Sequence, residues 1–475
     1  MAETAPLSFA AGQMSGLEEL AGVSPAAINV IPDAAGAVRT RPGLSVWDEF
    51  PAVIPNASPV IGQWIWGDYL IYCTEDRKLW ALTSPGFVVA LSDATAATQL
   101  DGSLRPQAVA TRSRIVIIGG GVPQKWAGVG LSARLGGSPP AGNGIAGIAT
   151  RLVISDVLNT GIIFWSDPGE LLGHEVWNGD DASAEAESKP DRLLTLGNTT
   201  GELFAFGSET LQIFAPDESA IFAPVTSKEV GVLAAASVIK WQDQYAFLDD
   251  QRRIVATDAR GLTELSSPGM SQTIWRFATV SDCWGFRARF DDCELLGWVF
   301  PTEGRACFYN ATVQKWSEWR SVDGAGRWAP WIGQSHVYWP AKAVHLIGLA
   351  DGRIVKLDPL AFTEAGNTLK AQVRTGFGNR ETPNRKICQR LQMTMRRGAA
   401  TGETAPAVEL RWRDDLGAMS QPMRFSLGIA GDVEATAQKW TLGTPYVTRQ
   451  WEITMSDAAQ FVLASADETF VPLGA

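Results

Sequence analysis

Seven segments of the chain repeat one pattern, and this repetition constrains the fold more than any other feature. Each segment has two strand-like runs; the first often ends in a polar turn, and the second carries a bulky apolar residue. The segments cover residues 62–82, 106–128, 145–167, 193–216, 235–258, 280–319 and 336–359. Their start-to-start intervals are 44, 39, 48, 42, 45 and 56 residues. Drifting periods of about 40–50 residues with short strands are typical of propeller blades.

A single unit of this kind cannot cover both faces of its own sheet, so we expect six or seven units to stack around an axis. The 47 glycines and 26 prolines lie between short apolar runs, and 19 tryptophans supply large, rigid packing groups. These features predict an all-β chain with a β-propeller. The best helical candidate is short and covers residues 16–21.

Three regions are predicted. Residues 1–45 comprise an N-terminal arm at 1–28 and a hairpin in NVIPDAAGAVRTRPGL at 29–44. Residues 46–360 form the propeller, and residues 361–475 form a C-terminal β-sandwich-like domain after a linker at 360–367. Strands of this last domain are expected at 369–376, 386–396, 407–412, 423–427, 438–442, 447–456 and 459–464.

The formal net charge of −11 disfavours a general nucleic-acid or anionic-membrane binder, which needs clustered cations. No apolar run reaches the roughly 18 residues of a membrane span. The first residues, MAETAPLSFAAGQMSG, lack the cationic start of a secretory signal, so we expect folding in a cytoplasm. The five cysteines, without C-x-x-C spacing, predict reduced and mostly buried thiols.

Catalytic and metal-site signals are weak. The three histidines are His174, His336 and His345, and no pair has the spacing of a zinc motif. No G-x-S-x-G occurs, and the glycines at 119–121 lack the Lys-Ser/Thr of a phosphate-binding loop. We therefore expect no enzyme activity, no cofactor and no metal.

An acidic segment lies between two predicted strands of the third and fourth repeats. It contains Asp180, Asp181, Glu185 and Glu187. Its carboxylates are hard-cation ligands, but the spacing is not that of a calcium loop. Three interpretations stay open: a solvated loop, a contact with another protein, and a site for a divalent cation.

A basic region reverses the overall charge in the C-terminal domain. Strand alternation in KICQRLQMTMR places Lys386, Cys388, Arg390, Gln392, Thr394 and Arg396 on one face, and Ile387, Gln389, Leu391, Met393 and Met395 on the inward face. With Arg385, the cations of the first face are solvated, bind phosphate or bind an acidic neighbour. The contrast with the net negative charge favours head-to-tail contact between subunits. Arg385, Lys386, Arg390 and Arg396 thus form one candidate interface, and the acidic segment forms the other.

Several ordered stretches resemble one protein family. They are NVIPDAAGAVRTRPGL, IIFWSDPG, VWNGDDASAEAESKPDRLL, GELFAFGSETLQIF, WQDQYAFLDD, RIVATDARGLTELSSPGMSQTI and CFYNATVQKWSEW, with a weaker RKICQRLQMTMRRG. The S-A-E-x-x-x-x-P-D and F-G-x-E-T elements are the most specific. Together these stretches resemble the packaged-DNA stabilisation or tail-hub (nozzle) proteins of short-tailed double-stranded DNA phages.

The resemblance implies a structural virion protein that is assembled in the bacterial cytoplasm. It implies a ring, expected to be a hexamer, below the portal and adaptor proteins. Such a ring retains the packaged DNA, binds a needle or plug and tailspikes or fibres, and forms part of the ejection conduit. An acidic wall would repel passing DNA and keep it from sticking.

A rival interpretation from another class is a glycan-binding module or hydrolase of the tail, because propellers often carry a pocket at the axis and tryptophans stack on sugars. Its platform would be Trp316, Trp319, Trp328, Trp331 and Trp339. Packing of these rings in the core is the alternative.

Overall fold

The structure is a computed structural model. It describes residues 2–9, 26–33, 36–51, 55–93, 95–158, 161–169, 173–177, 183–185, 191–218, 221–290, 293–397, 405–428 and 434–474. The helix predicted at residues 16–21 lies outside these ranges. Five short strands precede the repeats: β1 (Glu3–Pro6), β2 (Ala26–Ile28), β3 (Val30–Pro32), β4 (Val38–Thr40) and β5 (Gly43–Val46).

The first five blades are antiparallel four-stranded sheets in simple chain order. Blade 1 has β6 (Val60–Trp66), β7 (Tyr69–Thr74), β8 (Leu79–Ser84) and β9 (Phe87–Ala90). Blade 2 has β10 (Gln107–Ala110), β11 (Ile115–Ile118), β12 (Gln124–Trp126) and β13 (Ala133–Arg134). Blade 3 has β14 (Gly142–Ile148), β15 (Arg151–Asp156), β16 (Ile162–Trp165) and β17 (Ser183–Glu185). Blade 4 has β18 (Leu193–Asn198), β19 (Leu203–Gly207), β20 (Leu211–Asp217) and β21 (Ile221–Lys228). Blade 5 has β22 (Ile239–Trp241), β23 (Gln244–Leu248), β24 (Ile254–Thr257) and β25 (Leu262–Glu264).

Helix α1 (Pro268–Trp275) follows blade 5. It begins where the Ser267 hydroxyl accepts a hydrogen bond from the amide of Met270, with Pro268 in the first turn, as at many helix starts. Met270 and Ile274 are buried beneath it. The sequence interpretation missed this helix, although Ser-Pro before an apolar pair is a recognised start signal.

Blade 6 has β26 (Trp284–Phe290), β27 (Cys293–Phe300), β28 (Arg305–Asn310) and β29 (Lys315–Trp319), and the small pair β30 (Ser321–Val322) and β31 (Trp328–Ala329) follows it. Blade 7 has β32 (Gly333–Trp339), β33 (Val344–Leu349) and β34 (Ile354–Asp358). Its fourth strand is β5 from the N-terminal region, with Leu357 opposite Leu44. The propeller therefore closes by joining both ends of the repeat region in one blade, which leaves no open edge between the first and last blades.

Apolar clusters lie between each pair of neighbouring blades. Ile71 of blade 1 packs with Ile117 of blade 2, and corresponding clusters follow around the ring to the one that joins Leu346 of blade 7 to Leu70 of blade 1. Because each strand alternates its side chains between two faces, every blade contributes to two clusters. Burying one Val, Leu, Ile or Phe side chain contributes about 1.5–3 kcal/mol, so these interfaces are the main source of the ring's stability.

The C-terminal region contains β35 (Thr363–Glu364), β36 (Asn367–Thr368), β37 (Ala371–Arg374), β38 (Lys386–Arg397), β39 (Ala407–Asp414), β40 (Met423–Ser426), β41 (Glu434–Tyr446), β42 (Arg449–Met455) and β43 (Phe461–Pro472). One sheet has the order β3-β4-β43-β38-β41, with β1 also paired to β43. The other has the order β2-β37-β42-β39-β40. A shared core that includes Leu391, Met393, Trp451 and Ile453 lies between them.

One sheet runs without a break from the propeller into the C-terminal domain. Strand β2 pairs in parallel with β29 of blade 6 and antiparallel with β37. Nine strands therefore form one continuous sheet, in the order β26-β27-β28-β29-β2-β37-β42-β39-β40. Backbone hydrogen bonds, rather than a flexible connection, join the two domains. Blade 6 and this half of the sandwich therefore share one hydrogen-bonded framework.

The predicted fold class, an all-β propeller followed by a β-sandwich-like domain, is confirmed, and the described strands give seven blades. Each repeated segment corresponds to one blade, and each strand predicted beyond residue 368 overlaps an observed one. The division at residues 45 and 360 stays a prediction. Within the predicted arm, β1 and β2 pair in the sandwich sheets. Within the predicted linker, β35 and the first residue of β36 join the sheet of blade 7.

Candidate functional site

The acidic segment begins after β16 and ends before β18. Asp180, Asp181 and Glu187 lie outside the described residues. Glu185 is exposed in β17, the outermost strand of blade 3, with its Cα opposite Ile162. The part of the segment that is described thus lies on the outer rim of the propeller.

An earlier part of the same connection is held against blade 2. Glu175 accepts hydrogen bonds from Arg114 Nη1 at 2.6 Å and from Lys125 Nζ. Burial opposes ionisation of this carboxyl, but these two cations lower the pKa of Glu175. The connection that carries the acidic segment is therefore fixed to the neighbouring blade at its base.

The predicted basic face is corrected at its first residues. Lys386 is completely buried and donates to the backbone carbonyls of Val447 at 2.6 Å and Thr382 at 3.2 Å. Cys388 is also buried, as are Leu391 and Met393 further along β38. The register against β43 shifts between residues 388 and 390, and an extra residue in a strand reverses its alternation. Simple alternation from residue 386 to 396 was therefore wrong.

The remaining three cations of this set keep access to solvent. Arg385 and Arg396 are exposed, and Arg390 is partly exposed beside Thr469. Arg385 donates to the carbonyl of Pro445 at 3.3 Å. The cationic surface consists of Arg385, Arg390 and Arg396, on the sandwich, and does not include Lys386.

The two most specific sequence elements of the resemblance meet in space. Asp191, which ends S-A-E-x-x-x-x-P-D, is buried, and its Oδ2 accepts from the amides of Glu209 at 2.7 Å and Thr210 at 2.8 Å. These amides belong to F-G-x-E-T, in the turn between β19 and β20. Gly207 is required there, because a Cβ would lie 2.3 Å from Asp191 Oδ2. The carboxylate caps the turn and fixes the entry to blade 4.

A second buried cluster joins the propeller to the sandwich. Asn29 has a φ of 57°, a conformation that asparagine tolerates, and it lies between β2 and β3. Its Oδ1 accepts from Arg41 Nε at 2.9 Å, and its Nδ2 donates to the carbonyls of Arg320 and Lys370, each at 2.7 Å. Arg41 also donates to Glu364. We call Asn29, Arg41 and Glu364 the junction cluster.

Sequence reasoning missed the junction cluster. Asn29 and Arg41 lie in the first stretch of the resemblance, but Glu364 lies in the segment interpreted as a linker. Both Arg41 and Glu364 are fully buried, and no local pattern marks a partner more than 300 residues away. Only the pairing of β5 with β34 and β35 brings them together.

The tryptophan platform of the rival interpretation is contradicted. Trp316, Trp319, Trp331 and Trp339 are buried, and Trp319 stacks on Phe308 with ring centroids 3.7 Å apart. Trp328 alone of the five is partly exposed, beneath Lys370. These rings fill the interfaces of blades 5, 6, 7 and 1 and offer no common surface to a sugar.

Two histidines form a pair that their sequence spacing did not reveal. His336 Nε2 lies 3.0 Å from His345 Nδ1, and His345 Nε2 lies 2.9 Å from the carbonyl oxygen of Arg289. Since that carbonyl only accepts, His345 carries its proton on Nε2 and accepts from His336. Burial and the neighbouring ring hold the pKa of His336 well below its ordinary value.

The described residues contain neither a metal-ion cluster nor a membrane-crossing helix. Among the described residues, no cluster of three or more His, Cys, Asp or Glu side chains is arranged for a metal ion. All five cysteines are buried and none forms a disulfide, in agreement with the predicted burial of the thiols. No described helix has the length and hydropathy of a membrane-crossing segment.

Several concave sites occur among the described residues, and two of them lie on the propeller. A cleft of about 850 Å³ lies beside blade 7 and is lined by both signs of charge, including Lys342 paired with Glu49. A cavity of about 350 Å³ lies on the propeller axis, where all seven blades contribute lining residues. We call this second site the axial cavity; its size suits a small molecule and not a DNA duplex.

Comparisons with known proteins give a likeness to solved structures only. No protein-family model and no curated protein sequence matches the chain. The N-terminal part of BBS1 in complex with ARL6DN is 11% identical, with a TM-score of 0.42 and coverage of 67% of this chain and 97% of that one. The computationally designed protein Ika8 is 10% identical, with a TM-score of 0.40 and coverage of 66% and 99%. Hsv2 of Kluyveromyces lactis is 14% identical, with a TM-score of 0.30 and coverage of 53% and 80%. These values carry no argument about function.

Proposed function

We propose that this chain is a non-enzymatic structural protein of a short phage tail, the hub or nozzle. In this role it forms a ring, expected to be a hexamer, below the portal and adaptor proteins. The ring retains packaged DNA, binds a needle or plug and tailspikes or fibres, and forms part of the ejection conduit. The virion tail is its location, after assembly in the bacterial cytoplasm.

The contact between Asp191 and the Gly207–Thr210 turn supports this proposal most directly. The two sequence elements on which the resemblance chiefly rests form one structural unit in blade 4. The first stretch of the resemblance likewise supplies Asn29 and Arg41 to the junction cluster. The resemblance therefore falls on residues that determine how parts of the chain join.

The architecture suits a mechanical role. The continuous sheet from β26 to β40 couples the propeller to the sandwich. The axial cavity is too small for a DNA duplex, so in this proposal DNA passes along the axis of the subunit ring and not through a propeller. The net charge of −11 would keep the conduit wall from binding phosphate.

Mass photometry and negative-stain imaging of the purified full chain, alone and with its adaptor, test the proposal. We expect rings of uniform stoichiometry. A chain that stays monomeric under both conditions would overturn the tail-hub function.

A charge reversal tests the cationic surface as a subunit contact. Arg385→Glu with Arg390→Glu is expected to lower the ring yield several-fold, because opposite charges across an interface would become like charges. Arg260→Glu with Arg276→Glu is the matched control, since both residues are exposed on the propeller. Equal ring yields for the two double variants would remove the cationic surface from the interface.

A further inference from the structure

The axial cavity has an unusual balance of charge for an acidic protein. Its lining carries two cations, Arg105 and Lys240, and no Asp or Glu. Lys240 is exposed at the rim, where its Nζ donates to the carbonyl of Asn198 at 2.6 Å. His336 also lines the cavity, but its lowered pKa leaves it neutral. The fixed charge of the wall is therefore positive.

Arg105 lacks a carboxylate partner among the described residues. Its guanidinium lies 4.6 Å from the ring centroid of Trp284 and donates to the backbone carbonyl of Gln334. Burial lowers the pKa of Arg105 to about 10. Arg105 is partly buried, and charges that are withdrawn from water are normally paired, because leaving water is costly for an ion. An anion inside the cavity would satisfy this guanidinium.

Gln63 presents an acceptor that has no partner. Its side chain is buried, and its Nε2 donates to Ser335 Oγ at 2.8 Å. The Ser335 hydroxyl donates its proton to the carbonyl of Val60, so Ser335 Oγ can only accept from the Gln63 side-chain amide. This bond fixes the orientation of the Gln63 amide. Gln63 Oε1 is left without a hydrogen bond and is almost closed off from the cavity, so a ligand reaches it only when the Gln63 side chain shifts. A ligand that satisfies this oxygen must bring a donor.

We propose that the axial cavity binds a small oxyanion that also carries a hydroxyl group, such as a hydrogen phosphate, either free or on a small molecule. The anion's oxygens accept from Arg105, and its O–H donates to Gln63 Oε1. Trp284, Phe286 and Tyr245 form the apolar wall. This inference rests on the propeller alone and holds whether or not the chain forms a tail ring.

Sulfate separates this site from a general preference for anions. At neutral pH sulfate has the shape and charge of hydrogen phosphate but no proton to donate, so it would leave Gln63 Oε1 unsatisfied. Titration calorimetry of the full chain with inorganic phosphate, glycerol 3-phosphate and sulfate therefore reports on both contacts. The first two probes distinguish a free anion from a phosphorylated small molecule.

Three variants complete the test. Arg105→Met is expected to weaken phosphate binding at least tenfold, by loss of a charge-assisted hydrogen bond. Gln63→Leu is expected to bring the affinities for phosphate and sulfate close together. Arg252→Met is the matched control, because Arg252 also lies over a tryptophan, Trp275 at 5.5 Å, and donates to backbone carbonyls, but lies outside the cavity. It should bind phosphate as the wild type does.

Two outcomes would overturn the proposal. One is a wild-type chain that binds neither phosphate probe at millimolar concentration. The other is an Arg105→Met variant that keeps wild-type affinity, which would place the anion elsewhere. If that variant unfolds, the ratio of phosphate to sulfate affinity in Gln63→Leu decides the question, and an unchanged ratio contradicts the assignment.

Discussion

Arginines with restricted access to solvent occur in both domains, but their surroundings differ: Arg449 is buried in the sandwich, whereas Arg105 is partly exposed in the axial cavity. In the sandwich, Glu468 Oε2 accepts from Arg380 Nε at 2.8 Å, and Arg449 Nη1 lies 4.0 Å from Glu468 Oε1. Arg449 is also paired with Asp414 at 2.8 Å. In the axial cavity, Arg105 has no carboxylate partner within the described residues. The carboxylates that neutralise the sandwich arginines lie within the chain, whereas in our proposal the counter-charge of Arg105 is a bound anion.

The largest loss of folding stability is expected from Glu468→Gln. The carboxylate also accepts from the Tyr446 hydroxyl and from Trp451 Nε1 at 3.1 Å, so its loss leaves two buried arginines with one remaining carboxylate. We expect the free energy of unfolding to fall by about 3–5 kcal/mol. Urea denaturation measures this, with Asp467→Asn on the same strand as the control. A loss below about 1 kcal/mol would show that the network is not what stabilises the sandwich.

The same carboxyl sets a pH dependence. Burial opposes its ionisation, but Arg380, the Tyr446 hydroxyl and Arg449 together hold the pKa of Glu468 below its ordinary value. A depressed folded-state pKa contributes stability above the unfolded pKa of about 4.3, and this contribution is lost as the pH falls through the folded value. The wild type should therefore lose stability in acid more steeply than Glu468→Gln.

The next effect concerns the junction cluster. Arg41→Met leaves Glu364 buried without its cation, and we expect a cost of about 3 kcal/mol. Adding Glu364→Gln should recover part of that cost, because the second change removes the unpaired charge. A double-mutant cycle by urea denaturation gives the coupling, expected at about 1–3 kcal/mol. If the losses of stability from the two single substitutions simply add, Arg41 and Glu364 are not coupled and their ion pair does not stabilise the junction between the domains.

The repeats were predictable because their signals are local. Alternating side chains and polar hairpin tips lie within one blade, so the seven segments could be recognised one at a time. The closure of blade 7 could not, since β5 joins a strand about 310 residues away and no local pattern identifies its partner. Glu364 failed to stand out for the same reason. In the basic candidate interface, the sequence pattern correctly predicted that Arg385 and Arg396 are exposed. It placed Lys386 on the wrong face, because residue composition does not reveal the bulge in β38.

Lys386→Met tests whether Lys386 is buried, and it should reduce the free energy of unfolding less than the two changes above. The ammonium group satisfies two buried carbonyls, so we expect a loss of about 1–2 kcal/mol. Arg396→Met, on the exposed part of the same strand, should change stability by less than about 0.5 kcal/mol. Thermal denaturation of the two variants side by side measures the difference. Equal, small effects would restore Lys386 to the solvated face.

Arg105→Met is expected to cost less stability than Glu468→Gln, Arg41→Met or Lys386→Met, and this contrast is the sharpest test of the comparison. Methionine keeps the apolar contact with Trp284 while removing a cation that no carboxylate balances, so without added anion the free energy of unfolding should change by less than about 1 kcal/mol. Saturating phosphate should then raise the melting temperature of the wild type and not that of the variant, because a ligand stabilises only the folded state that binds it. If Arg105→Met costs as much stability as Arg41→Met, Arg105 is a structural residue of the propeller. If the cost is small and phosphate no longer raises the melting temperature, the cavity is a binding site.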